Sequence, residues 1–167
     1  QVRGDITKAD TAGSSIDLIT NDYINANVTL GQGDDTVLVE ADLDGSIDMG
    51  SGAADLTIEG RVTGSIDAQG TSGADVSIDS YVSGGIDLTD GDDTLDLAGD
   101  GSQTSGAVQL RAGSDTVTVG AVLEGGILAD NADAGGVDVA ASDKVWNDID
   151  LGAGPDNVHM KGPHDQY

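Results

Sequence analysis

Pairs of apolar residues spaced i, i+2 recur along this chain at a nearly fixed interval. Each pair follows a glycine-rich stretch, and the first members of successive pairs lie 19–22 residues apart. The pairs are Val37/Val39, Leu56/Ile58, Val76/Ile78, Leu95/Leu97, Val117/Val119, Val137/Val139 and Val158/Met160. A second apolar series runs in phase with them, at Ile47, Ile66, Ile86, Val108, Ile127 and Ile149. A period of about 20 residues with two apolar strand signals predicts a β-solenoid.

Residues 31–50 form the clearest repeat. Apolar and polar residues alternate over 37–41, which predicts one strand, and Leu43 and residues 47–49 indicate two more after short bends. One coil cannot bury its own apolar face, so successive coils must stack. We therefore expect an all-β, single-stranded parallel β-helix with three short strands per coil. The general bias of parallel crossovers favours a right-handed winding.

The regularity of the pattern divides the chain into three parts. Residues 1–30 are expected to form irregular first coils or an N-terminal cap, 31–160 the solenoid repeats, and 161–167 a C-terminal tail. Val28 lies in phase with Ile47. The stretch that ends at Ile16 resembles Gly45-Ser46-Ile47, which places Ile16 in the Ile47 series.

Three longer loops are predicted at 99–106, 129–134 and 140–148. The last of them carries the only tryptophan, Trp146. Insertions in solenoids fall at the corners between strands, and often on a binding face.

Composition narrows the function classes. The chain has 31 acidic and 6 basic residues, a net charge of −25, only 2% aromatic residues and no cysteine. So strong a negative charge argues against nucleic acid and anionic membrane surfaces as partners. No apolar run has the length of a membrane span, so we expect no membrane insertion. With few aromatic residues, the core must be narrow and filled by aliphatic side chains.

Four loops share the pattern Gly-x-Asp-x-(Val/Leu), at residues 31–37, 89–95, 111–117 and 152–158. Residues 30–38 match the motif GGxGxDxUx, in which U is a large apolar residue, at every fixed position except the first. The pattern resembles the calcium-binding nonapeptide of RTX proteins.

This resemblance implies one or two calcium sites, because Ca²⁺ prefers six to eight oxygen ligands and the motif supplies carboxylate and turn carbonyl oxygens. An ion between adjacent coils would need neighbouring loops, which here are only 89–95 and 111–117. The alternative is a set of tight Gly/Asp corners without metal. The candidate residues are Gly33, Asp35, Asp90, Gly91, Asp92, Asp93, Gly113, Asp115 and Asp156.

Outward carboxylates are also predicted at Asp48, Asp67, Asp87 and Asp150, each just after an inward isoleucine, and the first three are expected to stack in successive coils. Two carboxylates ~5 Å apart repel by about 0.8 kcal/mol in water and about 3 kcal/mol at an effective dielectric of 20. Solvation, cations or raised pKa values must offset this repulsion. The alternative is an ordinary solvated face.

Signals for catalysis are weak. The chain has no nucleophile elbow, no HExxH and no phosphate loop, and its two histidines, His159 and His164, lie near its end. We therefore expect a protein that is not an enzyme. An enzyme acting on polysaccharides, as some β-helix proteins do, is the least favoured alternative.

The repeated phrase Gly-Ser-Ile-Asp, followed by Gly-x-Gly-x-Asp-x-Val, is clearest in residues 45–56 and 151–158. It resembles the repeats of exported bacterial surface proteins, such as autotransporter passengers and RTX-like adhesins. The resemblance implies an extracellular or cell-surface location. It leads to the hypothesis of a stiff acidic rod, a fibre or matrix protomer or adhesin segment, that self-associates end to end. A surface glycan or a host or cell-surface protein is a further expected partner. A calcium-binding module that folds on export is the main alternative.

Overall fold

The structure is a stack of parallel strands. The computed structural model describes residues 2–8, 11–20, 23–70, 72–97, 99, 102–120, 122–129, 136–141 and 144–160. These residues form a β-solenoid of about seven turns, with roughly 20 residues per coil and no helix. The predicted all-β parallel solenoid is therefore confirmed.

In chain order the strands of the described residues are β1 (Val2–Arg3), β2 (Ile6–Thr7), β3 (Ser15–Leu18), β4 (Ile24–Asn25), β5 (Val28–Thr29), β6 (Asp35–Val39), β7 (Leu43–Asp44), β8 (Ile47–Asp48), β9 (Ala54–Ile58), β10 (Ile66–Asp67), β11 (Ala74–Ile78), β12 (Tyr81–Val82), β13 (Ile86–Asp87), β14 (Thr94–Leu97), β15 (Gln103–Thr104), β16 (Val108–Arg111), β17 (Thr116–Val119), β18 (Val122–Leu123), β19 (Ile127–Ala129), β20 (Asp138–Ala141), β21 (Ile149–Asp150) and β22 (Asn157–Met160).

The strands form three sides of the solenoid. The long sheet contains β3, β6, β9, β11, β14, β17, β20 and β22, and the short sheet contains β2, β5, β8, β10, β13, β16, β19 and β21. The third side, the interrupted sheet, has the groups β1-β4-β7 and β12-β15-β18. Val62 links the two groups through bridges to Leu43 and Val82. All pairs are parallel.

Residues at the same position in successive coils lie directly over one another, and we call such a set a column. In the long sheet, one column consists of Ile16, Val37, Leu56, Val76, Leu95, Val117, Val139 and Val158. In the short sheet, another consists of Ile6, Val28, Ile47, Ile66, Ile86, Val108, Ile127 and Ile149. The interior members are 0–1% exposed. Each fully buried aliphatic side chain contributes about 1.5–3 kcal/mol, so these columns carry much of the stability.

The prediction that Val137/Val139 is the sixth pair is wrong. Val117 pairs with Val139 and Val119 pairs with Ala141, so Val139 and Ala141 form the sixth pair. Val137, Val139 and Ala141 are all buried on the same face. Period-2 alternation fixes the face of a strand but not a shift of two residues.

The assignment of Ile16 to the Ile47 series is also wrong, because Ile16 pairs with Val37 in the long sheet. Val28 pairs with Ile47, as predicted. Residues 2–30 contribute β1 to β5, and these strands pair in register with later coils. The division of the chain at residue 30 stays a prediction, and the predicted tail 161–167 lies outside the described residues.

Two of the predicted loops are shorter than expected. Residues 99–106 include β15, and residues 140–148 begin within β20 and include Val145, which bridges to Leu123. Of the third loop, 129–134, the structure describes Ala129 alone. Gln103 and Thr104 carry no apolar signal, yet Thr104 is fully buried in the column of Val82 and Leu123.

Small residues at the corners let the coils approach closely. A Cβ added to Gly45 would lie 1.9 Å from the carbonyl oxygen of Ala26, and one added to Gly64 would lie 2.4 Å from that of Gly45. A larger residue at either corner would push the coils apart and weaken the ladders on both sides.

Candidate functional site

Three carboxylates of the Asp loops lie on the inner side of the solenoid. The first inward position of each long-sheet strand forms a column, which we call the entry column. Its members are Ser14, Asp35, Ala54, Ala74, Asp93, Asp115, Val137 and Asp156. Asp35, Asp93 and Asp115 are each only 2% exposed. The alternation of apolar and polar residues also predicts the inward direction of Asp35, since Asp35 shares the face of Val37 and Val39.

Each aspartate of the entry column accepts a hydrogen bond from the coil before it. In every case the donor is the backbone N–H of the preceding member, and the acceptor is Oδ1. The N···O distances are 2.7 Å for Ser14 to Asp35, 2.7 Å for Ala74 to Asp93, 3.0 Å for Asp93 to Asp115 and 3.1 Å for Val137 to Asp156. The side chains therefore satisfy backbone groups where the ladder begins.

The residue before two of these aspartates reaches in the opposite direction. Asp34 Oδ1 accepts a hydrogen bond from the N–H of Ala53 at 3.0 Å, and Asp92 Oδ1 accepts one from Ser114 at 2.8 Å. An Asp-Asp pair thus links its own coil to the coils on both sides. These hydrogen bonds between coils give the Asp-Asp pairs at 34–35 and 92–93 a structural role that needs no metal ion.

Asp93 accepts two hydrogen bonds in addition to the one from Ala74. Its carboxylate accepts them from the Thr89 hydroxyl at 2.5 Å and from the Thr89 N–H at 3.0 Å. Burial raises the pKa of Asp93, while the bonds from Thr89 and Ala74 lower it. Three donors therefore bind a buried carboxylate whose pKa is raised overall by its burial.

The candidate calcium residues do not converge on one point. The loops 89–95 and 111–117 are neighbours, as predicted, since Thr94 pairs with Thr116. Asp35, Asp93 and Asp115 face the interior, however, and within the described ranges no three His, Cys, Asp or Glu side chains are grouped to hold a metal ion. Calcium binding by these loops therefore stays a prediction.

The glycines of these loops allow close packing between coils and backbone conformations that other residues rarely adopt. Gly33 lies against Gly13 and Ala12, with no room for a Cβ, and Gly113 has φ +131°. The Gly91 N–H donates to the Thr89 hydroxyl at 3.0 Å. Asp90 is exposed at the same corner.

The outward carboxylates form a row of three. Asp48, Asp67 and Asp87 are direct neighbours in the short sheet, whereas Asp150 pairs with Leu128 and lies outside the row. Burial raises the pKa of Asp67, and the charges of Asp87 and Asp48 raise it further. The Gln69 amide donates to Asp67 at 2.9 Å and opposes this shift.

Arg111 closes this row. Its Nε and Nη2 donate to the two carboxylate oxygens of Asp87 at 2.6 and 2.5 Å, a bidentate ion pair. Arg111 has φ 60° and is the one residue other than glycine with positive φ in the described part of the chain. Gly50 and Gly152, at φ 70° and 71°, also have this left-handed conformation just after a short-sheet strand. An arginine at a position where glycine is favoured is the sequence signal for this contact, and apolar spacing does not reveal it.

An open polar groove follows the row. A depression of about 330 Å³ is lined by Ser51, Gln69, Gly70, Asp90 and Arg111. A second of about 240 Å³ lies over the neighbouring strands and includes Asp67, Asp87 and Gln109. Arg111 lines the first depression, and its ion-pair partner Asp87 lines the second, so carboxylates, amides and a guanidinium face solvent along this side.

Comparison with protein-family models, curated proteins and solved structures found no match to this chain. Among the residues that the structure describes, no helix could cross a membrane.

The last described coil has exposed apolar side chains at positions that are buried in the earlier coils. Val158 is 46% exposed and Met160 50% exposed, although Val139 and Ala141, one coil earlier in the same columns, are 0% and 2% exposed. Trp146 is 66% exposed nearby. The apolar columns of the long sheet are therefore buried in the interior coils and exposed in the last described coil.

We predict that Asp93→Ala lowers the free energy of unfolding by about 1–3 kcal/mol, because the N–H groups of Ala74 and Thr89 lose their acceptor. Urea denaturation checks this, with the exposed Asp17→Ala as the control. The loss should be the same in EDTA and in calcium, since the bonds are internal. A loss seen only in calcium would contradict the structural role and favour a ligand role.

We predict that Asp67→Asn stabilises the protein at pH 7 by about 0.5 kcal/mol, a small gain because solvent screens a partly buried group. Since the folded-state pKa of Asp67 is raised above 3.8, its proton favours the folded state. Wild-type stability should therefore fall as pH rises through that pKa, and the variant should lack this fall. Unfolding curves from pH 3 to 7 measure it, with Asp17→Asn as the control. An advantage of Asp67→Asn that is largest at pH 3 would refute this account.

Proposed function

We propose that this chain is a segment of a stiff, acidic, extracellular rod with a structural role. The observation that supports this best is the continuous dry core. Aliphatic columns run through the stack, and eight strands lie in register in each of two sheets. Eight strands at a spacing of about 4.8 Å give a stack about 34 Å long.

Neighbouring coils are joined on every side, which supports stiffness. Besides the ladders, side chains at one corner bond the next coil in sequence. Asp5 accepts from the Asn27 N–H at 3.0 Å, Asn27 from Ser46 at 3.0 Å, and Ser46 from Ser65 at 3.2 Å. Bending the rod would strain several of these bonds together, so the stack suits the role of a spacer.

The negative charge of the surface favours solubility and restricts the kinds of partner that can bind. A net charge of −25 repels nucleic acid and other polyanions. The groove beside Arg111 offers the Gln69 amide and the Asp90 carboxylate in an open depression. Such groups suit the hydroxyls of a neutral surface glycan, which makes an adhesin segment the version of this function with a sugar partner. The extracellular location rests on the resemblance of the repeats to exported surface proteins.

A calcium-dependent module is the second candidate, and one observation favours it. The Asp loops 89–95 and 111–117 lie on adjacent coils, and Asp90 and Asp92 are exposed there. In that version the free chain would be held open by repulsion among its 31 acidic residues, and calcium would supply folding free energy. Circular dichroism in EDTA separates the two, because the rod held by its core keeps its β spectrum.

We predict that antibodies against this chain label the surface of intact source cells or their extracellular matrix. Immunogold electron microscopy checks this, with permeabilised cells as the comparison. Label on intact cells would support the structural, exported role. Label confined to the interior of permeabilised cells would contradict it.

A further inference from the structure

We propose that Arg61 and the tyrosines beside it bind a sugar that carries one carboxylate, such as a uronic acid residue of a surface glycan. The site lies on the outer face of the interrupted sheet, on a different side of the solenoid from the groove beside Arg111. The inference rests on the proposed function as a surface rod and names a ligand class for it.

The site is built on one outward column of the interrupted sheet. Each member comes just before an inward residue of the column that runs from Ile24 to Val82. The members are Tyr23, Asp42, Arg61 and Tyr81. Backbone hydrogen bonds join these coils, such as that from the Val62 N–H to the Tyr81 carbonyl at 2.9 Å. The column spans three coil steps, about 14 Å, so a tyrosine lies on either side of Arg61.

The guanidinium of Arg61 has no acidic partner in the part of the chain that the structure describes. It lies over the ring of Tyr81, with Cζ 5.7 Å from the ring centroid, and no carboxylate there bonds to it. Arg111 shows the alternative, since it donates to both carboxylate oxygens of Asp87. Arg61 is exposed, and the planar fork of its N–H groups is free to bind a carboxylate from outside.

Two acidic side chains near Arg61 are bonded to other donors. Asp44 accepts hydrogen bonds from the Tyr23 hydroxyl and from Asn25 Nδ2, the latter at 2.9 Å. The bond from Tyr23 lowers the pKa of Asp44, and the charge of Arg61 lowers it as well. Asp42 Oδ1 accepts the backbone N–H of Arg61 at 3.2 Å. Neither carboxylate therefore takes the place of a ligand on the guanidinium.

The aromatic side chains favour a sugar over a bare carboxylate. All three aromatic residues within the described ranges, Tyr23, Tyr81 and Trp146, lie on this side of the solenoid. Tyr81 supports Arg61, and its hydroxyl lies 3.0 Å from that of Ser105, which fixes the ring. Tyr23 is 40% exposed and offers an apolar ring face to the C–H groups of a sugar.

The charge of the whole protein limits the ligand to one carboxylate. At physiological ionic strength the Debye length is about 8 Å, so a single carboxylate on Arg61 is little affected by distant acidic residues. A polymer of acidic sugars would place further charges against Asp42 and Asp44, and a net charge of −25 would repel it. The site therefore suits one acidic sugar in an otherwise neutral glycan.

Two methyl glycosides that differ in one group test the inference. Methyl glucuronide has a carboxylate where methyl glucoside has a hydroxymethyl group, and acetate supplies the carboxylate without the ring. Saturation-transfer NMR on the full chain measures binding of each. We expect methyl glucuronide to bind about tenfold or more tightly than either of the other two, because hydrogen bonds to a charged group and ring contacts act together.

Three variants then assign the contacts. Arg61→Gln should weaken binding of methyl glucuronide by about tenfold or more, and Arg61→Lys should also weaken it, because the ammonium keeps the charge but not the fork. Tyr23→Leu should weaken binding, since the ring face is lost. Asp42→Asn should tighten binding by about twofold, because it removes a negative charge near the ligand carboxylate.

The matched control is Lys144→Gln. It removes one positive charge from the same side of the solenoid, where Lys144 lies over the ring of Trp146, about four coil steps from Arg61. This variant should bind methyl glucuronide like the wild type. Circular dichroism of every variant should show the wild-type β spectrum, because the altered side chains lie on the outer face.

Three results would overturn the inference. Arg61→Gln that binds methyl glucuronide as tightly as the wild type would remove Arg61 from the site. An equal loss in Lys144→Gln would indicate nonspecific attraction of an anion. Acetate that binds as tightly as methyl glucuronide would show that any carboxylate suffices, including that of an acidic peptide. None of these results bears on the rod, whereas loss of cell-surface labelling would remove the proposed function and leave sugar binding intact.

Discussion

A coil of about 20 residues encloses too little space to bury its own apolar side chains, and this constraint shapes the whole molecule. Each inward Val, Ile or Leu is covered by its equivalents in the coils before and after it. The result is a narrow aliphatic core from Leu18 to Ala141 that needs almost no aromatic residues. Because every coil is covered by its neighbours, the fold is stable only when successive coils stack in register.

Close stacking creates a second requirement, which is to satisfy backbone groups at the corners. The chain meets it with short polar side chains that reach one coil back or one coil forward. Asp93 and Asp115 do so from inside the solenoid, and Asp34 and Asp92 do so from outside. A pattern that resembles a metal-binding motif is thus used here for hydrogen bonds between coils, and the carboxylates left outside give the rod its acidic surface.

The sequence predicted the solenoid well because its strongest signal, alternation at a fixed period, is also its main physical requirement. Val37, Leu56, Val76 and Leu95 lie over one another as their spacing indicated. Where the same face carries three apolar residues in a row of alternate positions, as at 137–141, the pattern could not choose between two registers. Gln103 and Thr104 form a strand that hydrophobicity could not reveal.

The site was harder to predict than the fold. The alternation of apolar and polar residues places the side chain of Asp35 on the inner face. The resemblance to the calcium-binding motif, in contrast, suggested that this side chain is a metal ligand. The pair between Arg111 and Asp87 joins residues 24 apart, and it depends on the coil geometry and on the left-handed backbone at Arg111. Neither can be derived from spacing alone. The exposure of Val158 and Met160 likewise appears only when the last coil is placed on the stack.

Engineered disulfides test the in-register stacking most directly, because the chain has no cysteine of its own. Thr57 and Ser77 are direct neighbours on the outer face of the long sheet, whereas Thr57 and Asp75 are offset by two residues. In-register Cα atoms lie about 4.8 Å apart and offset ones about 8 Å, beyond the reach of a disulfide. The account predicts that Thr57→Cys with Ser77→Cys oxidises readily and that Thr57→Cys with Asp75→Cys does not. Equal oxidation of both pairs, or preference for the offset pair, would contradict it.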